Sequence, residues 1–345
     1  MIPIQNIYYM LSYAFQVLNE QGYKNIATEQ FHNTAELMAA ILEKGIAIQI
    51  KRGLGKEYIP QTEALSSLRG KIDIAESIKT QSMLRKQLIC TYDEFSVNSI
   101  MNRIIKSTVE LLLRSNISKQ RKKNLRKLMV YFSEVDFIDS YTVNWNVQYN
   151  RNNQTYRMLI SICYLVVKGL LQTQSNGHTK LMDFLDEQRM CRLYEKFILE
   201  YYRKEFKNQI TANASQIPWQ LDNEENSMLP VMQSDIMLQS GEKVLIIDAK
   251  YYEHSTQVQF DKHTLHSGNL YQIFTYVKNK EYELREKDHT VSGMLLYAKT
   301  DEAIYPNNVY QMSGNQITVR TLDLNLSFDE IAGQLNTIAK THFDL

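Results

Sequence analysis

The chain has 345 residues, 44% of them hydrophobic and 22% charged, with 39 basic against 38 acidic side chains. This length and apolar content suffice for more than one buried core and exclude a disordered chain. The balanced charge excludes a surface that collects nucleic acid by overall attraction, so any DNA contact has to be local or shared with a partner.

Residues 5–20 and 35–46 carry apolar side chains at helical spacing, with Ile7, Met10, Leu11, Ala14 and Leu18 as the first stripe. The pattern then changes. Ile46 to Ile59, Leu68 to Ile74 and Gln87 to Phe95 read as strands separated by Gly53, Gly55, Pro60 and Gly70, a small β-rich module spanning about 46–95. Helical spacing returns over Asn98–Leu113 and again over Ser118–Phe132. The second of these holds the basic cluster Lys119, Arg121, Lys122, Lys123, Arg126 and Lys127, a run that ordinarily marks a solvated helix face, with DNA contact as the alternative. Residues 133–155 read as an irregular connector. The expected boundary falls there, between an N-terminal α+β domain over 1–150 and a second domain over 151–345.

Helices are expected over Tyr156–Leu171 and Met190–Phe206. The apolar stretch Met158–Val167 ends at Lys168, too short to span a bilayer, and the N-terminus lacks the basic start and small-residue cleavage site of a secretion signal. Cys90, Cys163 and Cys191 stand in no disulfide, metal or redox spacing, which suits a reducing compartment. The expectation is a cytoplasmic protein with no membrane role.

The most informative segment follows. Val231–Leu238 and Val244–Tyr252 are apolar, β-branched runs joined by Gln239-Ser240-Gly241-Glu242, which predicts a β-hairpin. Side chains alternate along a strand, so Asp248 and Lys250 share a face. A loop of two, three or four residues puts Asp235 opposite residue 246, 247 or 248, and its carboxylate comes near that of Asp248 if both face the same way. Two such carboxylates call for a cation, and Mg²⁺ takes oxygen ligands from one or two carboxylates together with phosphate oxygens. A neighbouring ammonium then suits phosphodiester hydrolysis, so Asp235 and Asp248 are the candidate metal ligands and Lys250 the candidate catalytic cation. Downstream, Gln272 and Tyr276 lie one helical turn apart on the segment Asn269–Tyr276. His263 and His266, with His254 and Asp261, fall on a polar stretch and read as solvent-facing.

Asp235, Asp248-Ala249-Lys250 and Gln272-x-x-x-Tyr276 together resemble the PD-(D/E)xK nuclease superfamily, with Ser234-Asp235 where the literal Pro-Asp would stand. The resemblance implies an α/β restriction-endonuclease-like core with a mixed sheet flanked by helices. It also implies a Gln272–Tyr276 helix flanking the metal site, and a further metal-directed carboxylate from the preceding helix at Glu195.

A second resemblance covers nearly the whole chain. Ile4–Ala14, Arg52-Gly53-Leu54 with Tyr58, Arg69–Ile72, Asn102–Thr108 and Leu245–Tyr252 look like the McrC family, the nuclease subunit of the McrBC modified-cytosine restriction system. This implies double-stranded DNA containing modified cytosine as substrate and an McrB-like AAA+ GTPase ring as partner, bound and stimulated by the N-terminal domain. No Gly-x-x-x-x-Gly-Lys-Ser/Thr occurs, and Gly53-Leu54-Gly55-Lys56 lacks its spacing, so GTP is expected on the partner and not on this chain. An autonomous repair or recombination nuclease and a non-catalytic GTPase-activating adaptor are the alternatives.

Overall fold

The computed structural model describes residues 2–15, 18, 23, 26, 29, 31–139, 141–151, 153–176, 187–222, 228–252, 257–259, 262–299 and 305–345, without the side chains of 168–176, 187–189, 257–259 and 262–263. His254 and Asp261 lie outside the described residues. The chain divides into two compact units, Thr28–Phe184 and the combination of Met1–Ala27 with Leu185–Leu345. That division does not fall at residues 150/151.

The first helix, α1 (Ile4–Ala14), ends where Phe15 leaves helical dihedrals, short of the expected residue 20; residues 16, 17, 19 and 20 lie outside the described set. It belongs with the C-terminal unit for a definite reason. Asn6 Nδ2 donates to the carbonyls of Leu324 and Leu326, both at 2.8 Å, and Tyr9 and Tyr13 stack on Phe328.

In the Thr28–Phe184 unit, α2 (Thr34–Arg52) is capped by Asn33, whose side chain accepts from Glu36 N, and ends at Gly53. The strand expected over Ile46–Ile59 is therefore helical as far as Arg52. Leu42, Gly45, Ile46 and Gln49 are all buried, and their spacing is that of one helix face, which overrides the β-branched alternation of Ile46, Ile48 and Ile50. Next come β1 (Glu57–Leu65), β2 (Lys71–Asp73), α3 (Ile74–Lys79) and β3 (Leu88–Ser96), the strands forming an antiparallel sheet of order β1-β3-β2. The helices α4 (Ile100–Arg114), α5 (Lys119–Met129) and α6 (Tyr156–Asn176) complete the unit. Because α6 packs on α2 and α4, the irregular stretch 133–155 is internal to the unit and is not a domain boundary.

One buried amide ties the β-rich module to these helices. Asn102, on α4 and wholly buried, donates to the carbonyl of Gly55 before β1 at 2.9 Å and to that of Val97 after β3 at 2.8 Å. Its Oδ1 accepts from Tyr156 Oη at 2.7 Å, and that hydroxyl accepts from Gly55 N. The basic run on α5 is also not uniformly solvated. Arg121 turns inward to pair with Glu29, Glu36 and Glu43 at 2.7, 3.3 and 2.9 Å.

The C-terminal unit continues with α7 (Glu187–Glu205), β4 (Thr211–Asn213), β5 (Gln216–Ile217), β6 (Met232–Gln233), β7 (Ile236–Ser240), β8 (Lys243–Lys250), β9 (Gln257–Gln259), β10 (Lys262–Thr264) and α8 (Ser267–Leu284). It closes with β11 (Thr290–Ala298), β12 (Asn308–Met312), β13 (Asn315–Leu322) and α9 (Phe328–Phe343). Six strands make a mixed sheet of order β12-β13-β11-β8-β7-β4, with β13, β11 and β8 parallel and the outer pairs antiparallel. The expected mixed sheet flanked by helices is observed.

On one face, Val244 and Ile246 join Leu295, Ile317 and Val319 beneath Ile273, Tyr276 and Val277 of α8. The helix sits so close that a Cβ at Gly293 would come within 2.8–2.9 Å of Ile273, Val277 and Ile317. The alternate residues Leu245, Ile247 and Ala249 are equally buried, so β8 is covered on both faces. The capping box of Ser327 and Glu330 that opens α9 is a signal for this last helix that the sequence already carries.

Candidate active site on the β7–β8 hairpin

A two-residue turn fixes the geometry. Ser240 pairs with Lys243 across Gly241-Glu242, and Gly241 adopts φ +56°, a left-handed conformation suited to glycine at a tight hairpin turn. Ile236 pairs with Ile247 as the last pair of the ladder; Asp235, one residue before β7, falls opposite Asp248 if that register is extended, and the two carboxyls interact electrostatically. The register facing residue 248, matched in the sequence to a four-residue loop, is reached here with a two-residue one because the turn sits at Gly241-Glu242, and directly opposed residues face the same side.

Asp235 Oδ2 accepts from Ala249 N at 3.0 Å, which ties it to the neighbouring strand. Asp248 is only 1% exposed. Its Oδ2 lies 2.8 Å from Lys250 Nζ as an ion pair. Lys250 Nζ donates to Gln272 Oε1 at 3.2 Å, and Gln272 Nε2 donates to Tyr276 Oη at 2.9 Å. The carboxylate pair, the ammonium and the helix pair thus form one connected array. Tyr276 also packs in the apolar cluster under α8, so its hydroxyl serves the array while its ring serves the core.

Glu195 lies on α7, where it accepts from the Cys191 thiol at 3.1 Å. The same sulfur lies 3.8 Å from the Ala249 carbonyl, linking the helix to the strand that carries Asp248. Burial raises the Glu195 carboxyl above the usual range, while Lys250 draws it back down. Asp235 is pushed up to about 8, first by burial and then by the charges of Asp248 and Glu195. Burial likewise raises Asp248, against the pull of Lys250. For Lys250 burial alone would lower the pKa, but Asp248 outweighs it and holds the ammonium charged. Cys191 is pushed up to about 12, chiefly by burial, and is a neutral thiol donor.

The donor chemistry suits a hard divalent cation. Asp235 and Asp248 offer only oxygen, and burial raises both carboxyls, Asp235 also through the charge of Asp248, so a bound divalent cation would favour the ionised form of both. Among the described residues no three or more His, Cys, Asp or Glu side chains are grouped so as to hold a metal ion, so Glu195 does not join the Asp235–Asp248 pair as a third ligand.

Sequence reasoning missed part of the array. Asn269 Nδ2 donates to Tyr297 Oη at 2.9 Å, and Tyr252 Oη donates to Asn269 Oδ1 at 3.2 Å. The signal was present in the spacing. Tyr252 continues the alternation of Asp248 and Lys250, and Asn269 lies one turn before Gln272 on the same helix face. Cys191 likewise lies one turn before Glu195.

A family model described as McrBC 5-methylcytosine restriction system component matches residues 5–298. The chain is 31% identical over 331 residues to the Escherichia coli (strain K12) type IV methyl-directed restriction enzyme EcoKMcrBC, covering 94% of this chain and 93% of that protein. It is also similar to a chain of the half-complex from the tetradecameric assembly of Thermococcus gammatolerans McrB AAA+ hexamers with bound McrC, at 18% identity and TM-score 0.49, over 97% of this chain and 76% of that one. A chain of the Thermococcus gammatolerans McrBC complex matches at 21% identity and TM-score 0.39, over 49% and 55% respectively. On the family match and the relative from Escherichia coli, the chain belongs to the McrBC 5-methylcytosine restriction system components, in their McrC family.

Proposed function

We propose that this chain is the Mg²⁺-dependent DNA endonuclease subunit of a GTP-driven restriction complex, acting in the cytoplasm on double-stranded DNA with modified cytosine. Its partner is an McrB-like AAA+ GTPase ring, which binds the GTP and whose turnover this chain stimulates. The observation that carries the reading is the opposition of Asp235 and Asp248 on one hairpin, with Lys250 held between Asp248 and Gln272. The same array supports a PD-(D/E)xK assignment for the mixed-sheet unit, and family membership supplies the DNA substrate and the partner.

Asp235 and Asp248 would hold the cation, with the Ala249 amide fixing one carboxylate and the hairpin register fixing the other. When bound, Mg²⁺ supplies a more acidic water and positive charge beside the scissile phosphate. Lys250 stays protonated and aims its ammonium where negative charge grows on the phosphate. Gln272 accepts from that ammonium and is itself anchored to Tyr276, so the cation does not swing away with the substrate. Glu195 and Cys191 close the α7 side, the thiol donating to the Glu195 carboxylate, which adds negative charge near the pair.

The test is cleavage of methylated plasmid by the full chain with its GTPase partner and GTP. Asp248→Ala and Lys250→Ala are each expected to slow cutting on the order of 10²-fold or more while partner binding persists. The chain alone is expected to cut little, because its overall charge gives weak non-specific DNA affinity. Undiminished cutting by Asp248→Ala would remove the active-site assignment, and efficient cutting without partner would favour an autonomous nuclease.

A further inference from the structure

Beside Asp235 lies a cavity of about 400 Å³ lined by Arg192, Glu195, Lys196, Ser234 and Asp235. Arg192, Glu195 and Lys196 are spaced i, i+3, i+4 on α7, so one helix face presents a carboxylate with a cation beside it and another one turn away. We infer that this face is a phosphate track, in which Arg192, supported by Lys196, holds the DNA backbone next to the scissile phosphate. The inference rests on the nuclease reading above.

The argument is electrostatic. Asp235, Asp248 and Glu195 gather three acidic groups where a polyanion has to enter. Lys250 is already engaged by Asp248 and Gln272, and a divalent metal would be taken up by the carboxylate pair. A DNA strand brings a further negative charge with every phosphate, so its approach calls for cations that the acidic cluster does not consume. Arg192, whose charge also favours the ionised form of Glu195 one turn along α7 but which forms no ion pair among the described residues, meets that need. It is solvent-exposed, it faces the cavity, and its guanidinium can grip phosphate oxygens in a fork. Lys196 is braced with its ammonium 4.0 Å from the Phe15 ring centroid, which fixes a positive charge about 6 Å further along the helix. Ser234 Oγ is turned to the Ser215 carbonyl at 3.1 Å, and so is committed to the cavity wall rather than to a ligand.

The experiment measures cleavage of a modified duplex by the full chain with its GTPase partner across a salt series, for wild type, Arg192→Gln, Arg192→Lys and the Arg192→Gln/Lys196→Gln pair. Arg192→Gln is expected to raise KM roughly tenfold, the worth of one charge-assisted hydrogen bond, with the larger effect in KM than in kcat. The slope of log(kcat/KM) against log salt should become shallower by about 0.9 for Arg192→Gln and by about twice that for the pair. Arg192→Lys should restore the slope, which a merely structural role would not do. The partner's own DNA contacts are common to all variants and cancel. Wild-type KM and slope in Arg192→Gln would overturn this inference alone. Loss of the metal-site reading would appear separately, as cutting retained by Asp248→Ala.

Discussion

Replacing Asp235 by asparagine should stabilise the metal-free protein while abolishing its chemistry. The carboxyl titrates at about 8 in the fold against an ordinary 3.8, so at neutral pH the folded chain keeps a proton that the unfolded chain releases. The stability this confers is complete below about pH 4 and is lost progressively as pH rises through about 8. At 1.36 kcal/mol for each unit of displacement, the loss by neutral pH is on the order of 2–4 kcal/mol, the lower figure allowing for the partial exposure of Asp235. An amide of the same size accepts the Ala249 N–H through its oxygen and has no proton to lose. Urea unfolding in chelator from about pH 5 to about pH 8.5 should therefore find Asp235→Asn more stable than wild type at the alkaline end, with a flatter pH dependence. Added Mg²⁺ should stabilise wild type increasingly as pH rises, because the metal competes with protons, and should do little for the variant. A variant less stable than wild type at alkaline pH, or one with an unchanged pH slope, would refute the idea that Asp235 is held against its ionisation.

Gln272→Ala should slow single-turnover cleavage by about tenfold, since Lys250 loses the acceptor that fixes its ammonium, and Tyr276→Phe should cost less because the ring keeps its packing. Unchanged rates in Gln272→Ala would mean that Asp248 alone positions the lysine. Asn102→Ala should lower unfolding stability by about 1–3 kcal/mol, leaving the half-buried Gly55 and Val97 carbonyls without their donor; an unchanged stability would contradict the clamp.

The candidate site was legible because each of its parts rests on a short-range period. Strand alternation put Asp248 and Lys250 together, helical spacing put Gln272 and Tyr276 together, and only the turn length left Asp235 in three registers. Where the reading failed, two periods fitted one stretch or the partner lay far off in sequence. Ile46, Ile48 and Ile50 alternate like a strand, yet the helix begun at Asn33 carries through them because Ile46 and Gln49 continue the buried stripe of Leu42. The domain boundary was hidden because what holds α1 is a pair of carbonyls at Leu324 and Leu326, more than 300 positions away. Arg121 was lost in a basic run because the three glutamates that turn it inward lie on other segments.

The double grip of Asn102 has a consequence for how this protein can diversify. A chain that departs through Gly55 and returns through Val97 to the same amide is an insertion whose two ends are already joined. Lengthening or rewriting the far tip, between Leu65 and Leu88, then adds loop entropy that grows only with the logarithm of length. The helices beneath feel none of it. The outer end of the β1–β3 ribbon is thus free to vary, while the cost of error is concentrated in the few residues at its root.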